Sequence, residues 1–240
     1  MAVYALSDLH LSLGIDKPMD IFGPLWHNYM NTISKNWLST VSQDDLVIIG
    51  GDFSWATYLS QAKADFEFLN SLPGHKLLIK GNHDYWWESI TKLQNFVSQN
   101  GFNKISFIHN SAYIHENFSI SGTRLWLLPD TDGFGNEDKK IYERELIRLT
   151  LSLDKAQKLE EQNRDKTFKR IAVFHYPPIS SDGKVEDRLM DILLKYHVKK
   201  CIYGHLHSGG INSAFCGVSE GIEFQLTSAD YLGFSPLKLT

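Results

Sequence analysis

Residues Ile79-Lys80-Gly81-Asn82-His83-Asp84 put an amide, an imidazole and a carboxylate in three consecutive positions. They follow a short apolar run at 77–79 and precede Trp86, Ile90, Leu93 and Val97, which recur at helical spacing. That is the pattern of a strand ending in a polar turn before a helix. Groups of these kinds at a strand end are suited to ligating a metal and moving protons.

Working outward, the same arrangement recurs. A strand over 3–6 ends in Ser7-Asp8-Leu9-His10, and one over 46–49 ends in Gly50-Gly51-Asp52. A strand over 171–174 ends at His175, and one over 201–203 ends in Gly204-His205-Leu206-His207. Helical spacing fills the gaps between the early strands. Trp26, Met30, Ile33 and Trp37 predict a helix over about 25–40, and Leu59, Ala62, Phe66 and Leu69 predict the next, stopped by Pro73-Gly74. The helix after the 79–84 stretch stops at Asn100-Gly101. Alternating strands and helices of this kind make a mostly parallel sheet covered by helices.

The middle reads differently. Short strands at 105–109, 112–115 and 118–122, separated by turn residues, predict a meander. A polar loop covers 129–136. From Glu137 to about Lys166 the chain is charged, with Tyr142, Leu146, Leu149, Leu153 and Ala156 on one face. This predicts a long surface helix, whole or in two pieces, inserted into the domain with its charged face solvated. Val185, Leu189, Ile192 and Tyr196 mark a further helix, and 222–226 a last strand.

The chain has 240 residues, 42% of them hydrophobic and 22% charged, which fits a single domain with a sizeable core. Its net charge is −4, so no basic bias points to nucleic acid or a membrane surface. Cys201 and Cys216 lack metal-motif spacing, and a disulfide between them is open but not indicated. The N-terminus reads as a strand and not a signal peptide, and no apolar run is long enough to span a bilayer. A cytoplasmic protein is expected.

In open α/β sheets the C-terminal ends of the strands gather at one edge, where ligands bind. Asp8, His10, Asp52, Asn82, His175, His205 and His207 are more ligand candidates than one catalytic ion with an open position takes. Carboxylate, imidazole and amide donors suit Mn, Fe or Zn. The set suits two ions, roughly 3.5–4 Å apart, sharing a bridging carboxylate and clamping the oxygens of a phosphoryl displacement.

The order of these pieces, DxH, GD, GNHD, H and GHxH, resembles the calcineurin-like metallophosphoesterase superfamily from Asp8 to His207. The resemblance implies a four-layer αββα sandwich and a dinuclear, metal-dependent phosphoesterase. It implies that Asp8, His10 and His207 hold one ion, that Asn82, His175 and His205 hold the other, and that Asp52 bridges them. It further implies that a metal-bridging water or hydroxide attacks phosphorus, that His83 protonates the leaving alkoxide or stabilises transition-state charge, and that Asp84 fixes the His83 tautomer. Protein Ser/Thr phosphatases of the superfamily carry an arginine after GD and another after GNH. Here those stretches read Asp52-Phe53-Ser54-Trp55-Ala56 and Asp84-Tyr85-Trp86-Trp87, which is closer to bacterial phosphohydrolases of the family. A small-molecule phosphate ester is the expected partner. Two alternatives are a catalytically weak scaffold on the same fold and a nuclease of the superfamily.

Other features are assigned plainer roles. His27, His75, His109, His115 and His197 match no motif. Gly217-Val218-Ser219-Glu220-Gly221 fits the nucleophile-elbow spacing, but a strand follows where a helix is needed, so it reads as a turn. Trp86 and Trp87 read as helix packing, and Tyr176, Pro177 and Pro178 as fixing the loop that carries His175. Arg124 is either a surface cation or a planar fork for a phosphate oxygen. Substrate choice is expected to lie in loops 11–25, 129–136 and 176–184 and on the charged helix.

Overall fold

The structure, a computed structural model, describes residues 1–239. In chain order the elements are β1 (Val3–Ala5), α1 (Tyr29–Thr40), β2 (Leu46–Ile49), α2 (Lys63–Ser71), β3 (His75–Leu78), α3 (Ile90–Gln99) and β4 (Ile105–Phe107). There follow β5 (Ala112–His115), β6 (Phe118–Thr123), α4 (Asn136–Glu161), β7 (Lys169–Phe174), α5 (Asp187–Lys195) and β8 (Lys200–Tyr203). The chain closes with β9 (Gly217–Ser219), β10 (Ile222–Leu226) and β11 (Leu237–Lys238). The protein is mixed α/β, and it divides into two compact units. One comprises residues 1–107 with the C-terminal stretch from Thr227, the other Ile108–Leu226.

The first unit holds a sheet in the order β11-β1-β2-β3-β4. Strands β1 to β4 are parallel, and β11 runs antiparallel at the β1 edge. Strand β2, Leu-Val-Ile-Ile, is buried along its whole length, as a parallel strand covered on both faces must be. One cluster gathers Ile33 and Trp37 from α1, Phe66 and Leu69 from α2, and Leu93 from α3 against the sheet. These are the apolar positions of the three predicted helices. Helix α1 starts later than its periodicity suggests. Pro24–Trp26 is a separate 3₁₀ turn, and Asn28 takes a left-handed φ of 55° before the helix begins. Helix α3 is capped by Ser89, whose hydroxyl accepts the Lys92 N–H.

The second unit holds a sheet in the order β5-β6-β7-β8-β10-β9. Strands β6, β7, β8 and β10 are parallel, while β5 and β9 form antiparallel edges. The predicted meander is therefore corrected. Its first strand, β4, pairs in parallel with β3 in the other sheet, and only β5 and β6 form a hairpin. Turn residues mark where strands stop, not which neighbour they choose, so three short strands in a row misread as one sheet.

Helix α4 is one continuous helix of 26 residues. It buries the predicted stripe, and with it two polar residues, Glu145 and Ser152. Glu145 accepts the Thr123 hydroxyl and an Arg148 N–H, the latter at 2.8 Å. Ser152 donates to the Ser111 carbonyl at 2.6 Å and accepts the Gly122 N–H at 2.9 Å. Both polar groups are thus satisfied against β6 and its hairpin, which is why they are tolerated inside.

The Gly217–Gly221 stretch forms strand β9 and a tight turn into β10. Glu220 and Gly221 both have positive φ, 50° and 74°. That pairing closes a two-residue hairpin and leaves no nucleophile elbow. Cys201 and Cys216 do not form a disulfide; Cys201 is buried, and burial pushes its thiol well above the usual range. Among the described residues no helix is long and apolar enough to cross a membrane.

Candidate metal centre

In the first unit the segments leaving β1 and β2 run side by side. The N–H of Asp8 donates to the Gly51 carbonyl at 3.0 Å, and that of His10 to the Asp52 carbonyl at 3.0 Å. Leu11 and Trp55 continue the pairing. Rigid pairing past the strand ends brings three candidate side chains together. Ligand atoms of Asp8, His10 and Asp52 all lie within 4.8 Å of one another, and all three residues are buried. The His10 Nε2 atom is 3.8 Å from Asp52 Oδ2.

Each of the three sits on strained backbone. Asp8, His10 and Asp52 have φ of 56°, 46° and 51°. A non-glycine residue in this region costs on the order of 1–3 kcal/mol and persists where its surroundings over-determine it. Nothing in the spacing of the sequence announces this. At each of the three positions the chain bends shortly after a strand ends.

The surrounding bonds aim the carboxylates. The Ser228 hydroxyl donates to Asp8 Oδ2 at 2.7 Å, and the His83 backbone N–H to Asp52 Oδ1 at 2.8 Å. The Tyr29 hydroxyl donates to the His10 carbonyl at 2.6 Å. Gly81 is required by this packing. A Cβ there would stand 2.1 Å from Asp52 Oδ1 and 2.2 Å from the Asp52 nitrogen. The glycine of the 79–84 stretch therefore serves the carboxylate of another strand end, with Asn82 and His83 directly beyond it.

Asp84 departs from the expectation. Its buried carboxylate accepts the N–H groups of Asp52 (2.9 Å), Phe53 (2.9 Å), Ser54 (3.2 Å) and Gly81 (2.7 Å) and the Trp86 indole N–H (3.0 Å). The His83 imidazole is not among these donors. A carboxylate at the centre of two turns is drawn to the backbone groups that would otherwise be orphaned. Trp86 is buried as expected, but before α3, with its ring against Phe53 and Phe66.

Trp55 was not singled out by the sequence. Its ring stacks on His10 at 4.7 Å and 25° and leans on His83 at 4.4 Å and 52°. The Lys17 ammonium lies 3.5 Å from its centroid, and the Met19 sulfur accepts its indole N–H. Ser228 was missed too, although Thr227-Ser228 is a polar pair directly after Leu226, the last buried position of the alternating strand β10.

In the second unit the remaining candidates follow β6, β7 and β8. The rings of His175 and His205 are 5.2 Å apart, and Tyr176 leans on His205 at 4.2 Å. Backbone bonds tie these segments together. The N–H groups of His175 and Tyr176 donate to the Arg124 carbonyl, and that of Gly204 to the His175 carbonyl. His205 also has left-handed backbone, φ 71°. His207 follows two residues later and is half-buried. Arg124 is not a free surface cation. It is half-buried with its guanidinium 4.7 Å from the Trp126 ring.

Two carboxylates and an imidazole, buried together and aimed by fixed donors, match the donor set of a borderline-to-hard divalent cation. The mixed α/β fold with two parallel-rich sheets and this buried group define an α/β protein with a candidate metal site. The sequence profile of the calcineurin-like phosphoesterase family matches residues 1–209, and the chain belongs to that family. No curated protein matches it. Solved structures of similar fold include the protein of unknown function AQ665 from Aquifex aeolicus, 16% identical, with 99% of this chain and 95% of that chain covered at a TM-score of 0.51. Phosphopantetheinyl hydrolase (PptH) from Mycobacterium tuberculosis is 12% identical, with 99% and 95% covered at 0.51. The protein TT1561 of Thermus thermophilus is 14% identical, with 88% and 85% covered at 0.51.

Proposed function

We propose that this protein is a dinuclear metal-dependent phosphoesterase acting in the cytoplasm on the monoester or diester of a small molecule. The observation that carries the reading is the buried Asp8, His10 and Asp52 group, held on strained backbone in a chain of this family.

Asp8, His10 and His207 would hold one ion and Asn82, His175 and His205 the other, with Asp52 shared. Mn, Fe and Zn all suit these donors. Divalent ions bound there would supply an acidified water and neutralise charge on the phosphoryl oxygens.

The chain's own groups do the rest. His83, as the imidazolium, passes a ring proton to the departing oxygen, so the alcohol leaves neutral and a neutral imidazole remains. Its main-chain N–H on Asp52 Oδ1 fixes where that side chain starts. Arg124 would hold a phosphate oxygen through its planar fork. Asp84 keeps the Asp52 turn in shape and moves no proton.

The test is hydrolysis of a panel of phosphate esters by purified protein with each metal in turn. Turnover should require metal and stop with a chelator, and Asp52→Asn should lower kcat/KM by several orders of magnitude with the fold intact. Metal binding without turnover of any ester would instead make the protein a scaffold. Cleavage confined to DNA or RNA would make it a nuclease, against which the net charge of −4 argues.

A further inference from the structure

The second unit contains a cavity of about 600 Å³ whose wall includes His205. That size is ordinary for a small-molecule site, about 300–1,000 Å³. Its lining has two characters. One side is aromatic and apolar: Trp126 and Tyr176 lie 4.9 Å apart, Tyr176 leans on His205, and Ile179 is buried beneath. The other is the rim of the 129–136 loop, which brings Asp130 and Asp132 to the cavity.

The aromatic side is held in place. The Trp126 indole N–H donates to Asp138 at 2.9 Å at the start of α4, and Asp138 also accepts the Gly135 N–H at 2.9 Å. The Tyr176 main chain is tied to Arg124. A preformed aromatic wall costs little to use on binding.

We infer that this cavity receives the leaving group of the phosphoester, and that the leaving group is a neutral, ring-bearing alcohol such as a nucleoside or a sugar. This rests on the phosphoesterase reading, because continuity with His205 is what makes the cavity part of that site. The ring packs against Trp126 and Tyr176. Its hydroxyl or amino groups donate to Asp130 and Asp132. Those carboxylates accept only, and at neutral pH they repel a second anionic group on the substrate. A substrate carrying a carboxylate or further phosphate beyond the scissile ester is disfavoured.

Two measurements test this separately from the reading beneath it. Metal-free protein is titrated with adenosine and with methyl glucoside by calorimetry. One of them should bind, and Trp126→Ala should weaken that binding by about tenfold or more, the scale of a lost pocket contact. Metal-loaded protein is then given adenosine monophosphate, glucose 6-phosphate, glycerol phosphate and 3-phosphoglycerate. A ring-bearing ester should exceed glycerol phosphate at least about tenfold in kcat/KM, and 3-phosphoglycerate should be the poorest. The double variant Asp130→Asn with Asp132→Asn, both exposed, should narrow the gap between glycerol phosphate and 3-phosphoglycerate. Turnover of all four esters at similar kcat/KM, with neither neutral alcohol bound, overturns the inference and leaves the phosphoesterase reading standing. No turnover of any ester, with adenosine or glucoside still bound at Trp126, overturns that reading and keeps the ligand site.

Discussion

The carboxylate of Asp84 accepts the main-chain N–H of Asp52 at 2.9 Å through the same oxygen that takes the Gly81 N–H at 2.7 Å. Two turns from separate strand ends are thus tied to one side chain, and the Asp52 carboxylate is placed by that tie.

Replacing Asp84 by Asn turns one acceptor oxygen into a donor and leaves at least two buried N–H groups facing it. Each orphaned buried group costs about 1–3 kcal/mol. In a chain of this size the midpoint should fall on the order of 10 °C, since about 1 kcal/mol shifts it by roughly 2–4 °C. Activity should fall with it. Thermal unfolding of Asp84→Asn decides the point. A variant that melts like the wild type while losing activity would return Asp84 to the role of partner to His83.

Ser228 donates to Asp8 Oδ2 at 2.7 Å and is fully buried. A partner that orients a ligating carboxylate is typically worth 10–100-fold in metal affinity or activity. Ser228→Ala should therefore weaken metal binding by about that factor with little change in far-UV circular dichroism. Competition of the protein with a coloured chelator would read it. Unchanged affinity would mean that Asp8 needs no such guide.

Much of the architecture is visible in the residues alone. Strands β1, β2, β3, β7, β8 and β10 and helices α1 to α5 appear close to where periodicity puts them, although α1, α2 and α3 begin later than their stripes suggest, because a half-buried element has to declare its buried face. Pairing partners are less visible. Strand β4 looks like its successors in sequence and yet joins β3, and β11 is two residues long. In the first unit, Asp8, His10 and Asp52 come together because paired strand ends deliver them. The left-handed bends at Asp8, His10, Asp52 and His205 could not be read from the sequence, since those residues do not require such a backbone in the way glycine permits it. Trp55 escaped for a related reason. A large aromatic beside a motif looks like core, and only its stacking on two imidazoles distinguishes it.

Trp55 sets the planes of His10 and His83 by ring contact. Aromatic pairs of this kind contribute about 0.5–1.5 kcal/mol each. Trp55→Ala should loosen metal binding roughly tenfold through His10 and lower kcat further through His83. Trp55→Phe keeps a ring and should recover most of both. Calorimetric metal titration of the two variants separates them. Equal losses in Ala and Phe would assign the effect to the Met19 and Lys17 contacts of the indole instead.

Lys76 supplies a test remote from the ligands. It is fully buried in β3, and its ammonium donates to the carbonyls of Leu72 and of Gly74, the latter at 2.9 Å. Burial, with Lys104 adding repulsion, pushes its pKa down to about 7 from the usual lysine value near 10.5. Between those values the unfolded chain holds a proton that the folded chain has released. Stability therefore rises with pH across that window, by at most about 1.4 kcal/mol per unit. Below pH 7 both states are protonated and the contribution is flat at its lowest. Lys76→Met has no such proton to release. The wild type should gain on the variant in urea unfolding at pH 7, 8 and 9. If the two stay parallel, the buried amine keeps its proton throughout, and the carbonyls of Leu72 and Gly74 stabilise it as a cation.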